Sequence, residues 1–157
     1  MKRILIFCCI ILSALNALAD DGYRLWLRYD KIDDNIILQQ YRSAIKAIKF
    51  YGASSTISAA KKELQNGLQG LLDKKFPEQL QIINGTVIAG AASNSSIKNL
   101  SLNIDKKNLG TEGFFITTRK YNDKNIFVIT ANTDVGVLYG VFYFLRLLQT
   151  HQNIPGL

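Results

Sequence analysis

Sixteen residues near the C-terminus, Asp134 to Gln149, restrict the folds open to this chain more than any other stretch. Eleven of the 16 are apolar: Val135, Val137, Leu138, Tyr139, Val141, Phe142, Tyr143, Phe144, Leu145, Leu147 and Leu148. Asn132-Thr133-Asp134 supplies N-capping side chains, and an acid near the first turn suits the helix dipole. The stretch therefore reads as a helix from about Val135 to Thr150. Eleven apolar residues do not fit on one stripe, and a helix that is apolar all round has to be covered on every side. A single sheet covers only one. Gly136 and Gly140, four residues apart, would let one face approach a sheet closely, and Phe142 and Leu145 are then expected to look away from it. Phe142 and Leu145 are accordingly the candidate residues of a docking surface.

The remaining pattern supplies the sheet. Tyr23 to Tyr29 alternates strictly and reads as a strand, with Arg24, Trp26 and Arg28 on one face. Asp33 to Arg42 is short and polar, a loop or a brief helix. Ala44 to Tyr51 carries β-branched residues before Gly52 and is expected to be a second strand. Ser54-Ser55-Thr56 then offers N-caps to a helix running to about Leu72, with Ile57, Ala60, Leu64, Leu68, Leu71 and Leu72 at helical spacing. Thr86 to Ala89 is a short apolar strand ending at Gly90, Ala91 to Ser96 a loop, and Ile97 to Leu109 has room for a turn of helix. Gly113 to Lys120 and Asn125 to Ala131 are strands joined by a hairpin turn. Strands interleaved with helices predict an α/β (α+β) fold, a mixed β-sheet with helices packed on it in two layers.

The N-terminus carries an address. Lys2 and Arg3 precede an apolar run from Ile4 to Leu15, and Ala17-Leu18-Ala19 follows as a small-x-small site. This is the order of a secretory signal peptide, and the run is shorter than the roughly 20 apolar residues of a membrane span. The expected organisation is a signal over 1–19 and one domain over 20–157, with a secreted or periplasmic location and no membrane partner after cleavage. Both cysteines, Cys8 and Cys9, fall in the signal, so the domain has no disulfide to hold it. Beyond residue 19 the charge is +5, and its basic side chains stand singly or in pairs such as Lys61-Lys62 and Lys74-Lys75. A nucleic-acid binder would gather them into a stripe, so no nucleic-acid partner is expected.

Chemistry is sparse. The one histidine, His151, excludes any metal site that needs two imidazoles, and no metal or cofactor is expected. The Gly-Ala-Ala-Ser run from Gly90 lacks the full glycine fingerprint of a nucleotide-binding turn. A glycosidase needs two carboxylates across the scissile bond. The 12 acids are instead spread over strand edges, turns and helix ends, and no catalytic residue is assigned.

Two segments nevertheless look familiar. Asp21 to Asp30 (DGYRLWLRYD) and Ala131 to Thr150 (ANTDVGVLYGVFYFLRLLQT) resemble the N-terminal domain of the α-glucuronidases of glycoside hydrolase family 67. The AIKAIKFYG stretch and the run from Leu64 to Leu72 are similar too, so the resemblance covers nearly all of the chain beyond the signal. It implies an α/β domain preceding a catalytic TIM barrel, in an enzyme that removes α-1,2-linked glucuronic or 4-O-methylglucuronic acid from xylo-oligosaccharides. Tyr143 departs from it, standing where relatives often carry His. The carboxylates of such an enzyme belong to the barrel, which needs about 250 residues; the 157 here leave no room for one. The resemblance therefore implies a non-catalytic domain whose partner is a barrel, in the same chain or another, and glucuronoxylan-derived oligosaccharides as ligands of the whole. The alternative is a free-standing carbohydrate-binding or interaction module, in which Trp26 stacks a sugar while Arg24 and Arg28 pair with its carboxylate.

Overall fold

The computed structural model describes residues 28–156. The signal, Arg24, Trp26 and most of the alternating Tyr23 to Tyr29 segment lie outside the described residues. Arg28 and Tyr29, which lie within them, are not in a strand.

Asp34 opens the first helix, α1 (Asn35–Ala44), by accepting hydrogen bonds from the amides of Ile36 and Ile37. The polar stretch is thus a helix, with Leu38 and Tyr41 turned inward. Strand β1 (Ala47–Tyr51) follows, as its β-branched residues suggested. Ser54 then caps α2 (Ser55–Leu72) through the Ile57 amide, and the expected apolar positions of that helix are all buried. Strand β2 (Thr86–Ala91) runs through Gly90 rather than stopping there. A side chain on Gly90 would meet the Tyr51 carbonyl at 2.8 Å, so glycine continues the strand because it lets β1 come close. Two single-turn helices follow, α3 (Ser95–Lys98) and α4 (Lys106–Leu109), in the region read as loop and helical turn.

Strands β3 (Phe114–Tyr121) and β4 (Lys124–Ala131) form the hairpin. Tyr121 pairs with Lys124 across a two-residue turn, and Asn122 and Asp123 both have positive φ, 46° and 61°. That is the backbone of a type I′ turn, which Asn and Asp tolerate. The last long helix, α5 (Asp134–Gln149), is capped by Thr133 through the Gly136 amide. A 3-10 turn, Ile154–Gly156, closes the described chain.

The sheet order is β1-β2-β4-β3, with β1, β2 and β4 parallel and β3 antiparallel to β4. It is the mixed sheet with packed helices that the interleaved pattern predicted. Phe127, Ile129 and Ala131 of β4 join the main core with α2 and α5, while Ile126 and Val128 join a smaller one with Ile88, Ile97 and Leu100. Burial on both faces is why the end of β4 reads as an unbroken apolar run. The β1 edge is closed by the loop after α2: Ile48 donates to the Pro77 carbonyl and accepts from Gln79.

Candidate functional site

Helix α5 lies against the sheet through its glycines. A Cβ on Gly136 would come within 2.7 Å of both the Ala131 Cβ and the Gly113 carbonyl oxygen. One on Gly140 would lie 2.6 Å from Ile129. The close approach expected from the Gly136/Gly140 spacing is therefore present. Helix α2 packs alongside α5 on the same face of the sheet, and this second helix changes which residues look outward. Leu145 does not face away: it is 0% exposed, packed over Gly67 of α2, where a Cβ would meet its methyls at 2.5 and 2.6 Å. The sheet is thus not the sole neighbour of α5, and α2 covers the side on which Leu145 lies. Phe142 is half-buried.

The outward arc belongs instead to Val135, Tyr139 and Tyr143, at successive i, i+4 positions. They are 40%, 42% and 44% exposed, although large apolar residues of a helix are normally turned to the core. Tyr143 is partly held by Phe114 of β3, with ring centroids 5.3 Å apart and planes tilted by 42°. Arg146 is the charged residue within this arc. Part of the apolar excess read from the sequence is taken up by α2, which buries Leu145, and the exposed remainder is Val135, Tyr139 and Tyr143 rather than Phe142 and Leu145.

Of the sugar-stacking candidates, the described one is Arg28. It is exposed, and its backbone carbonyl accepts a hydrogen bond from Gln149 Nε2 at the end of α5. The next residue, Tyr29, crosses α2 at Gly70, where a Cβ would sit 2.4 Å from the Tyr29 carbonyl oxygen, and its hydroxyl donates to Glu63. This segment is thus fixed to the helix layer by backbone and side-chain bonds.

Most carboxylates are committed to local structure. Asp34 and Asp105 cap short helices, Asp134 accepts from Ser54 Oγ at 2.7 Å, Glu78 pairs with Lys61, and Asp123 with Lys120. Asp73 is held by Lys31 at 3.0 Å and Arg42 at 3.6 Å. The hydrogen bond and charge of Lys31, with a smaller contribution from Arg42, hold its carboxyl below the usual carboxylate value. Among the described residues no group of three His, Cys, Asp or Glu is placed to hold a metal ion, and no helix is long and apolar enough to cross a membrane. Grooves beside α1 and on the open side of β3 have at most one carboxylate each in their walls.

The arrangement is that of a small α/β domain whose last helix offers an apolar face. Residues 25–144 match the family model described as the glycosyl hydrolase family 67 N-terminus, and the chain belongs to that family. No curated protein sequence matches it. Among solved structures, a family GH115 4-O-methyl-α-glucuronidase with specificity for decorated arabinogalactans is similar at 20% identity and a TM-score of 0.46. The similarity covers 66% of this chain and 13% of that one, so this chain spans a small part of that enzyme's length.

Proposed function

We propose that this chain is a non-catalytic N-terminal domain of an α-glucuronidase-like glycoside hydrolase acting in glucuronoxylan breakdown. In this reading a TIM-barrel domain, in the same chain or a separate one, carries the catalytic carboxylates and rests on the outer face of α5. The observation that carries the reading is the family match over residues 25–144. It is supported by the exposed Val135, Tyr139 and Tyr143 stripe and by carboxylates that serve as caps and ion-pair partners. Fully burying one large apolar side chain stabilises by roughly 1.5–3 kcal/mol, so a partner covering the remaining two-fifths of three would gain roughly 2–4 kcal/mol. Export follows from Lys2-Arg3, the apolar run and Ala17-Leu18-Ala19, and intact mass of the exported protein should show Asp20 as its first residue.

The test is an assay with aldouronic oligosaccharides, with and without the catalytic domain of a family 67 enzyme. The chain alone should release no uronic acid, and it should co-elute with the catalytic domain unless Tyr139 and Tyr143 are both changed to Ser. Turnover by the chain alone that disappears on changing one of its Asp or Glu residues to Ala would overturn the non-catalytic reading.

A further inference from the structure

The C-terminus of α5 ends in an arrangement that glycine usually makes. His151 donates its amide to the Leu148 carbonyl and Gln152 donates to the Leu147 carbonyl, the paired bonds of a Schellman motif. The residue between helix and exit must then adopt a left-handed backbone, and His151 does so with φ 58°. Glycine accepts that conformation without the steric cost a Cβ brings. The chain instead places an imidazole there, and a side chain held in a strained backbone position invites a functional account.

His151 lines a groove of about 520 Å³ between α1 and the 151–155 turn. The volume lies within the roughly 300–1,000 Å³ of small-molecule sites. Both walls are anchored. Tyr41 is buried and its hydroxyl donates to the Gln152 carbonyl at 2.6 Å, while Ile154 is buried and its carbonyl accepts from Thr118 Oγ1 at 2.7 Å. The groove is therefore held by contacts at both walls. None of the nine residues lining it is Asp, Glu, Lys or Arg. The polar residues along it are Gln40, Tyr41, Ser43, His151, Gln152 and Asn153, with the Gln152 Nε2 already donating to the Thr150 carbonyl, and Ile37, Ala44 and Pro155 are the apolar ones.

We propose that this groove binds a short neutral oligosaccharide. Amides and imidazole both donate and accept, which matches sugar hydroxyls, and the C–H face of a pyranose ring packs against Ile37 and Pro155. A charged ligand would lose hydration without gaining a counter-charge, and a wholly apolar one would leave the amides unpaired. The proposal goes beyond the reading of the chain as an accessory domain and does not depend on α5 docking.

The test is backbone amide chemical-shift mapping of the full chain titrated with xylotriose, cellotriose and maltotriose, with glucuronic acid as the charged comparison. Saturable shifts are expected at α1 and residues 150–155 with at least one neutral trisaccharide, and none with glucuronic acid. His151→Gly should raise Tm by relieving the backbone, yet weaken the apparent Kd by roughly fivefold, the equivalent of one hydrogen bond of about 1 kcal/mol. Asn153→Ala should weaken binding by a similar factor with Tm unchanged. A purely structural His151 would move stability and leave binding intact. That result overturns the proposal, as do shifts that appear elsewhere or not at all. Loss of co-elution with a catalytic domain would instead count against the docking reading and leave these shifts in place.

Discussion

At the scale of single residues, the clearest electrostatic device is Asp73, which ends α2 in a left-handed conformation with φ 46°. Arg42 donates to the Leu72 and Asp73 carbonyls while its guanidinium and Lys31 face the carboxylate, so cations sit at the negative end of the helix. Because the folded carboxyl lies below its ordinary value, its stabilisation is present above the unfolded carboxylate pKa. It is lost as pH falls through the lowered folded one. Asp73→Asn keeps a residue that tolerates the left-handed backbone and removes the charge. Its urea midpoint should fall below that of the unaltered chain near neutrality, and the two should converge in acid. Equal midpoints at every pH would show that the exposed pairs contribute nothing, as many surface ion pairs do.

At the scale of elements, the glycines of the two long helices differ in what they permit. Gly136 faces a carbonyl oxygen and the Cβ of a strand residue, neither of which can move aside without shifting the sheet. The nearest atoms to a Cβ on Gly67 are the methyls and Cγ of the Leu145 side chain, which has rotamers where a strand backbone has none. Gly136→Ala should therefore destabilise by about 1–3 kcal/mol, the usual cost of overpacking. In Gly67→Ala the better helix propensity of Ala, worth about 1 kcal/mol, offsets part of the clash. Chemical denaturation of the two variants should rank them in that order. The opposite order would mean that the α2–α5 contact is stiffer than the contact of α5 with the sheet.

At the scale of the whole molecule, α5 is covered by the sheet on one side and by α2 on another, and among the described residues the third side is left open. Tyr139→Ser with Tyr143→Ser should reduce self-association in analytical ultracentrifugation with little change in Tm, because both side chains are more than two-fifths exposed. Leu145→Ala should instead cost about 2–5 kcal/mol, as deletion of a fully buried side chain does. If the double tyrosine variant unfolds and the Leu145 variant does not, the open side of α5 has been misplaced.

Features that depend on near neighbours in sequence were legible without a structure. Ser54 and Thr133 cap their helices, the Asn122-Asp123 turn joins β3 to β4, and the Gly136/Gly140 pair brings α5 onto the sheet. Each rests on a hydrogen bond or a close approach specified by spacing over a few residues. The apolar excess of α5 was equally legible, since periodicity reports how many faces a helix has to bury. Periodicity does not name the neighbour on each face. The placement of Leu145 against Gly67, the exposure of Tyr139 and the groove between α1 and the C-terminal turn each join segments distant along the chain. Residues so far apart meet because the sheet order is β1-β2-β4-β3 and both long helices lie on the same face. Which apolar residues become core and which become surface was therefore decided by tertiary packing.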